Sequence, residues 1–148
     1  MTEMAAAGVA TKAWFDEIRE LYLVSPLHAH FGLALDVVEQ GKVVVSMNGK
    51  REFLNAHGVM AGSVITGMID SALLQAVRTQ CASGDFLTTL EIKVNFLAPA
   101  KGSRFTCEAN VIRAGGSTGV SSAVVTAEDG SAVAGGMGTI FIRRKPKG

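Results

Sequence analysis

The stretch Ala61 to Val77, AGSVITGMIDSALLQAV, and the stretch Thr88 to Ala98, TTLEIKVNFLA, together decide the fold. In the first, Ala61, Val64, Ile65, Met68, Ile69, Ala72, Leu73, Ala76 and Val77 recur at steps of three and four, the period of a helix with one buried apolar stripe. In the second the period drops to two: Leu90, Ile92, Val94 and Phe96 alternate with Thr89, Glu91, Lys93 and Asn95 until Pro99 and Gly102 end the run. A long buried helix followed by a long strand predicts a helix packed on a sheet. Downstream, Ser103 to Ala114, Thr118 to Glu128 and Ser131 to Arg143 read as three more strands, broken at Gly115 with Gly116 and at Asp129 with Gly130. The last four strands are expected to form a meander.

Upstream, Leu33 to Met47 alternates around Gln40 and Gly41 as a hairpin does, and the polar stretch Asn48 to Asn55 is read as a loop. From Thr11, the apolar residues Ala13, Phe15, Ile18, Leu21 and Leu23 sit among charges as on an amphipathic helix that stops near Ser25 and Pro26. The expected class is α+β: a curved antiparallel sheet wrapped around a long central helix, with an N-terminal helix. Residues 1–148 are taken as a single domain, with 1–10 and 144–148 as loose ends.

Composition narrows the function. Of 148 residues, 48% are hydrophobic and 18% charged, and the 17 glycines raise the apolar share to about 59%, above the ~45–50% of an ordinary soluble domain. No apolar run reaches membrane-span length, so the surplus is expected to be buried against a second copy. The net charge of +1 provides no field to draw nucleic acid or a bilayer surface. Two cysteines, Cys81 and Cys107, stand far from any CxxC or metal spacing, and the first residues, MTEMAAAGVATK, make a poor secretory leader; a cytoplasmic protein is expected. His28, His30 and His57 lack a matching ligand set, so no metal is expected.

One charge breaks the helix pattern. Advancing ~100° per residue, Asp70 falls opposite the apolar stripe, beside Ser63, Thr66, Gly67 and Leu74, and it is the one charged residue between Val59 and Val77. A solvated helix face carries several charges. A face with one carboxylate among small and uncharged residues fits the wall of a pocket or of a subunit interface. Before the helix run Asn55, Ala56, His57, Gly58, Val59 and Met60, and its first turn holds Gly62 and Ser63. Gly58 and Gly62 fit a tight loop with close packing, and equally fit a helix start whose free N–H groups receive an oxyanion.

The segment NAHGVMAGSVITGMIDSA, followed by TTLEIKVNFLAPA, resembles the hotdog-fold acyl-CoA thioesterases of the phenylacetic-acid-degradation type, over roughly Phe31 to Arg143. The resemblance implies hydrolysis of an acyl or aryl-acyl thioester of coenzyme A, with coenzyme A part of the substrate and no separate cofactor. It implies Asn55 at the loop position, Gly62 as the oxyanion-hole residue, Asp70 as the base or nucleophile, and Thr89, in preference to Thr88, as the hydroxyl that orients the acid. His57, Ser63, Thr66 and Gly67 are the expected substrate contacts. This chain departs from the family at Ala61, where the family usually has a histidine.

Gly62 and Asp70 lie eight residues apart, about 12 Å along one helix, too far to act on one carbonyl. The site therefore calls for two copies, a homodimer expected to pair into a homotetramer. Lys101, Arg104, Arg113, Arg143 and Arg144 are the cations available to coenzyme A phosphates, with the Gly115–Gly116–Ser117 loop as a weaker candidate. Two other readings use the same segment: an enoyl-thioester hydratase or dehydratase pairing His57 with Asp70, and a non-catalytic acyl-CoA binder. Thiol release separates hydrolysis from both.

Overall fold

The computed structural model describes residues 11–146, and the expectation for residues 1–10 lies outside them. Helix α1, Lys12–Leu23, starts where the Thr11 hydroxyl accepts from the Trp14 N–H. Its buried stripe is Trp14, Ile18 and Tyr22, four residues apart, and Leu21 and Leu23 are exposed. The aromatic ends of the stripe outweigh the aliphatic residues that composition favours, because Trp14 and Ile18 pack on Val38. A second helix, α2, Pro26–Phe31, follows at once, with Ser25 as N-cap, Pro26 in its first turn and Gly32 in the left-handed conformation at its end. Pro26 starts this helix as well as stopping the one before it.

Strands β1, Leu33–Glu39, and β2, Lys42–Asn48, form the expected hairpin. The long helix α3, Gly62–Arg78, begins one residue inside the predicted run, with Ala61 at the N-cap. Strands β3 (Phe86–Phe96), β4 (Arg104–Ala114), β5 (Thr118–Ala127) and β6 (Ala132–Arg143) complete one antiparallel sheet of order β1-β2-β4-β5-β6-β3. The four-strand meander is thus corrected to three strands, β4-β5-β6. β3 lies at the far edge, paired with β6 from Phe86↔Arg143 to Phe96↔Ala134. The connection from Leu97 through Pro99 to Ser103 is too long for a tight hairpin and carries the chain from one edge back to the middle.

Helix α3 lies on this sheet against β2 through β6. Ile65, Met68, Ile69, Ala72 and Leu73 have almost no solvent exposure and pack with Val43, Val45, Phe105, Cys107 and Val125. Each large aliphatic side chain so buried contributes about 1.5–3 kcal/mol. Where α3 presses closest, the sheet offers glycine. A Cβ on Gly119 would meet Val77 Cγ1 at 2.5 Å, and one on Gly136 would meet Ile69 Cγ2 at 2.9 Å. Gly119→Ala is therefore expected to lower stability by about 1–3 kcal/mol through overpacking. Urea unfolding that shows no shift in midpoint would contradict this account of the helix–sheet contact.

Both cysteines are buried, and burial pushes the Cys107 thiol up to about 12. They pack rather than react. Arg144 and Lys145, expected in a loose tail, are instead tied to the body. The Arg144 guanidinium donates to Asp85 at 2.8 Å and to the carbonyls of Gly115 and Gly116, and the Lys145 N–H donates to the other Asp85 oxygen. No described helix is long and apolar enough to cross a membrane.

Candidate active site

The loop before α3 is organised by Asn55. Its side-chain carbonyl accepts from the backbone N–H of His57 at 2.9 Å and of Val59 at 3.3 Å, and its own N–H donates to the Val59 carbonyl. The Asn55 oxygen is therefore spent on the turn, and only its amide N–H remains to meet a ligand. The chain then enters α3 through Ala61, whose extended backbone (φ −61°, ψ 137°) is that of an N-cap but whose methyl group makes no capping hydrogen bond. A serine or aspartate there would occupy the orphan N–H groups; alanine leaves those of Gly62 and Ser63 to whatever lies in front.

What lies in front is a cavity of about 720 Å³ lined by Asn55, His57, Met60, Gly62, Phe96 and Lys101 among others. The Phe96 ring sits on Gly62 so closely that a Cβ would come within 2.9 Å of it. A side chain at Gly62 would require this exposed ring to shift.

Asp70 lies two turns further on, half-buried, off the sheet-facing stripe as its spacing predicts. It is not clear of the sheet, however: the Thr89 hydroxyl of β3 donates to Asp70 Oδ1 at 2.7 Å. Strict alternation from Ile92 and Val94 would turn Thr89 to the opposite face. The register of β3 on β6 shifts between Thr89 and Glu91, so that Leu87 and Thr89 before the bulge and Ile92 and Val94 after it all point inward. Leu90, read as one of the inward residues, is the extra residue and is 60% exposed. Thr88 is exposed and does not reach Asp70.

A smaller cavity, about 250 Å³, opens beside Asp70, with Gly67, Ser71, Leu74 and Gln75 of α3 on one side and Leu27, His28 and Phe31 of α2 on the other. The wall formed by α2 is pinned by a closed set of hydrogen bonds. His28 Nδ1 faces the Tyr22 carbonyl at 3.0 Å, so it carries the proton, and Nε2 lies 3.1 Å from the Ser71 hydroxyl, which is also bonded to the Tyr22 hydroxyl at 2.9 Å. The Tyr22 and His28 rings stack at 3.9 Å, and burial pushes the Tyr22 hydroxyl up to about 12. Sequence reading missed His28, Ser71 and Gln75 as site residues. The pair Ser25–Pro26, an N-cap followed by a first-turn proline, was the signal that α2 exists.

The expected residues thus divide between two places. Asn55, His57 and Gly62 share the larger cavity, while Asp70 and Gly67 share the smaller, with Thr89 bonded to the acid. Ser63 is exposed, Thr66 is half-buried, and neither lines either cavity. Of the cations considered for phosphates, Arg104 is held by Ser46, Asn48 and Asp36, Arg143 lies over the Phe86 ring, and Arg144 is committed to Asp85. The carbonyls of Gly115 and Gly116 turn to Arg144, which makes that loop a cation clasp and removes it as a phosphate cradle. Lys101 borders the larger cavity. Among the described residues no three His, Cys, Asp or Glu side chains converge as metal ligands would.

The architecture and the sequence both have relatives. A solved thioesterase family protein from Silicibacter pomeroyi superposes with a TM-score of 0.85 at 28% identity, over 89% of this chain and 99% of that one. The PaaI protein of the phenylacetic acid degradation operon of E. coli superposes with a TM-score of 0.82 over 93% of this chain and 96% of its own, at 20% identity, a likeness of fold. A candidate esterase of Saccharolobus solfataricus is 31% identical over 99 residues, which span 67% of this chain and 65% of that relative's length. The sequence pattern of the thioesterase superfamily matches residues 57–134, from the loop histidine through α3 and β3 into β6, and the chain belongs to that superfamily of hydrolases.

Proposed function

We propose that the protein hydrolyses acyl thioesters of coenzyme A, in the manner of the phenylacetic-acid-degradation type, at a site shared between two copies of the chain. The observation that carries this reading is the division of α3. Its uncapped N-terminus fronts one cavity, and a carboxylate oriented by the Thr89 hydroxyl fronts another about 12 Å along the helix. A thioester placed between two antiparallel copies would meet the Gly62 N–H of one chain and Asp70 of the other.

The chemistry follows from these groups. With Thr89 on Oδ1, the second Asp70 oxygen takes a proton from water as the water oxygen attacks the thioester carbon. The carbonyl oxygen becomes an oxyanion and accepts from the Gly62 N–H, strengthened by the helix dipole. Collapse breaks the C–S bond, and the proton held by Asp70 passes to the departing sulfur, leaving acid and thiol. The same carboxylate can attack the carbon itself, breaking the C–S bond and expelling the thiolate, which takes a proton from water; a second water then opens the resulting anhydride to the free acid and restores the carboxylate. Both routes need the carboxylate and both need the N–H. Neither needs a side chain at Ala61. Within one chain His57 and Asp70 open on different cavities, but a shared site that joins Gly62 of one copy to Asp70 of the other brings His57 there too, so thiol release, and not position, separates hydrolysis from the hydratase pairing.

A thiol-release assay over short, medium, long and aryl acyl-CoA thioesters tests the reading; acyl-CoA binding without thiol release from any of them would overturn it in favour of a binder. Thr89 acts through Asp70 as a positioning residue. Thr89→Val is expected to lower kcat about tenfold to a hundredfold with little change in KM, as for loss of a hydrogen bond to a charged group, and Thr89→Ser is expected to restore most of it. Equal kcat in Thr89→Val and the parent would contradict that role.

A further inference from the structure

Strand β3 ends the sheet, and its outer edge has no neighbouring strand among the described residues. It is long, 11 residues, and holds no proline. The opposite edge, β1, is shorter, is irregular between Leu35 and Val37, and is packed by α1 and α2. Along β3 and just beyond it, Phe86, Leu90, Phe96 and Leu97 are each 50% exposed or more. An open edge of this kind pairs with another strand unless something repels it, and proteins often place lysine there for that purpose. β3 has Lys93, but it also has Glu91 two residues earlier. Both charges stand on the outer face of the sheet beside Met137 and Thr139, while Ile92 and Val94 turn inward to the core. Neither has an ion-pair partner among the described residues. An acid and a base two residues apart on one face match the same segment running the other way.

In an antiparallel pair, residues directly opposite each other share a face of the sheet. A two-fold axis between two copies of β3 therefore passes through a residue, because an axis between residues would oppose an inward side chain to an outward one. An axis at Glu91 sets glutamate against glutamate, one at Lys93 sets lysine against lysine, and one at Val94 gives neither charge a mate. Only an axis at Ile92 sets Glu91 against the partner's Lys93 and Lys93 against the partner's Glu91. We propose that Glu91 and Lys93 are positioning residues of the shared site: they lock two copies of β3 edge to edge about Ile92 and exclude other registers and other strands. The inference rests on the shared-site reading and names the charges that align its two halves. With Leu90 counted out as the extra residue of the bulge, Thr89 falls opposite the partner's Val94, and Leu87 opposite the partner's Phe96. Thr89 holds Asp70, and the Phe96 ring rests on Gly62, so this register brings the carboxylate of one chain to the helix start of the other. A slip of two residues displaces the halves by about 7 Å and dismantles the site.

Charge reversal tests this, with association and turnover read separately. Glu91→Lys makes both edge charges positive and Lys93→Glu makes both negative, and each position is exposed, so the fold of the chain does not depend on either. Each variant alone is expected to self-associate about tenfold to a hundredfold more weakly than the parent in sedimentation, and to lose thiol release with it. Unfolded and refolded together in equal amounts, the two are expected to appear in native mass spectrometry as mixed dimers to about nine-tenths or more, against about half for random pairing, and to regain turnover. The double variant Glu91→Lys/Lys93→Glu is expected to pair with itself as the parent does and to reject the parent chain. Parental association of both single variants, random pairing in their mixture, or a double variant no better than the single ones would overturn the proposal. Selective pairing without thiol release in any sample, the parent included, would support the lock and refute the hydrolase reading. Thiol release by the parent, with both single variants associating normally, would refute the role of Glu91 and Lys93 alone.

Discussion

Asp70→Asn is expected to leave fold and assembly intact and to lower thioester hydrolysis by about 10²- to 10⁴-fold, the usual contribution of a positioned general base. The substitution is a clean one because the asparagine oxygen can still accept from the Thr89 hydroxyl, so the bond at 2.7 Å survives while the proposed base or nucleophile is lost. The half-buried position carries no ion pair whose loss would obscure the result: no lysine, arginine or histidine bridges to Asp70 among the described residues. Circular dichroism and sedimentation should match the parent, with the effect in kcat. Unchanged turnover would make Asp70 an ordinary helix carboxylate and remove the chemical basis of the proposed site.

The second large effect is expected at Gly62, where two variants separate space from hydrogen bonding. Both Gly62→Ala and Gly62→Pro add a Cβ that must displace the Phe96 ring from its 2.9 Å approach, but only proline deletes the N–H. Proline is well suited to the first turn of a helix, and the extended backbone of Ala61, with ψ at 137°, is the conformation a residue preceding proline prefers. Gly62→Pro is thus expected to fold, and to hydrolyse thioesters about 10²- to 10³-fold more slowly than Gly62→Ala, the loss typical of one oxyanion donor. Equal rates in the two variants would place the oxyanion elsewhere. Ala61→His is expected to change turnover only modestly, because the backbone donor does not depend on that side chain.

How much of this was legible in the sequence differs from element to element. Helix α3 was, because nine apolar positions at helical spacing leave no other structure that buries them. The strands were, through period-two alternation and the turn pairs Gln40–Gly41 and Asp129–Gly130. Their order was not. Adjacency in sequence favours β3 beside β4, and only the long Leu97–Ser103 connection hints that β3 belongs at the opposite edge, paired with β6. The Asp70–Thr89 contact came from family resemblance and not from spacing, since alternation alone sends Thr89 outward; one inserted residue, Leu90, reverses the parity of the strand. Gln75 was hidden for a related reason. It follows the apolar Leu73 and Leu74 and reads as an ordinary surface residue until α2, invisible to periodicity at six residues, closes over that side of the helix.

The separation of Asp70 from Gly62 along one helix makes the shared site the central claim, and mixing two inactive chains tests it most directly. Asp70→Asn and Gly62→Pro protein are unfolded together, refolded at equal concentration, and assayed for thiol release beside each variant treated alone. In a shared site every mixed dimer holds one damaged site, with both lesions, and one intact site, with neither, so random pairing should restore about a quarter of the parental activity. A mixture no more active than the variants alone, with mixed dimers shown to be present, would mean that each chain acts through its own Asp70 and Gly62, and would contradict the account.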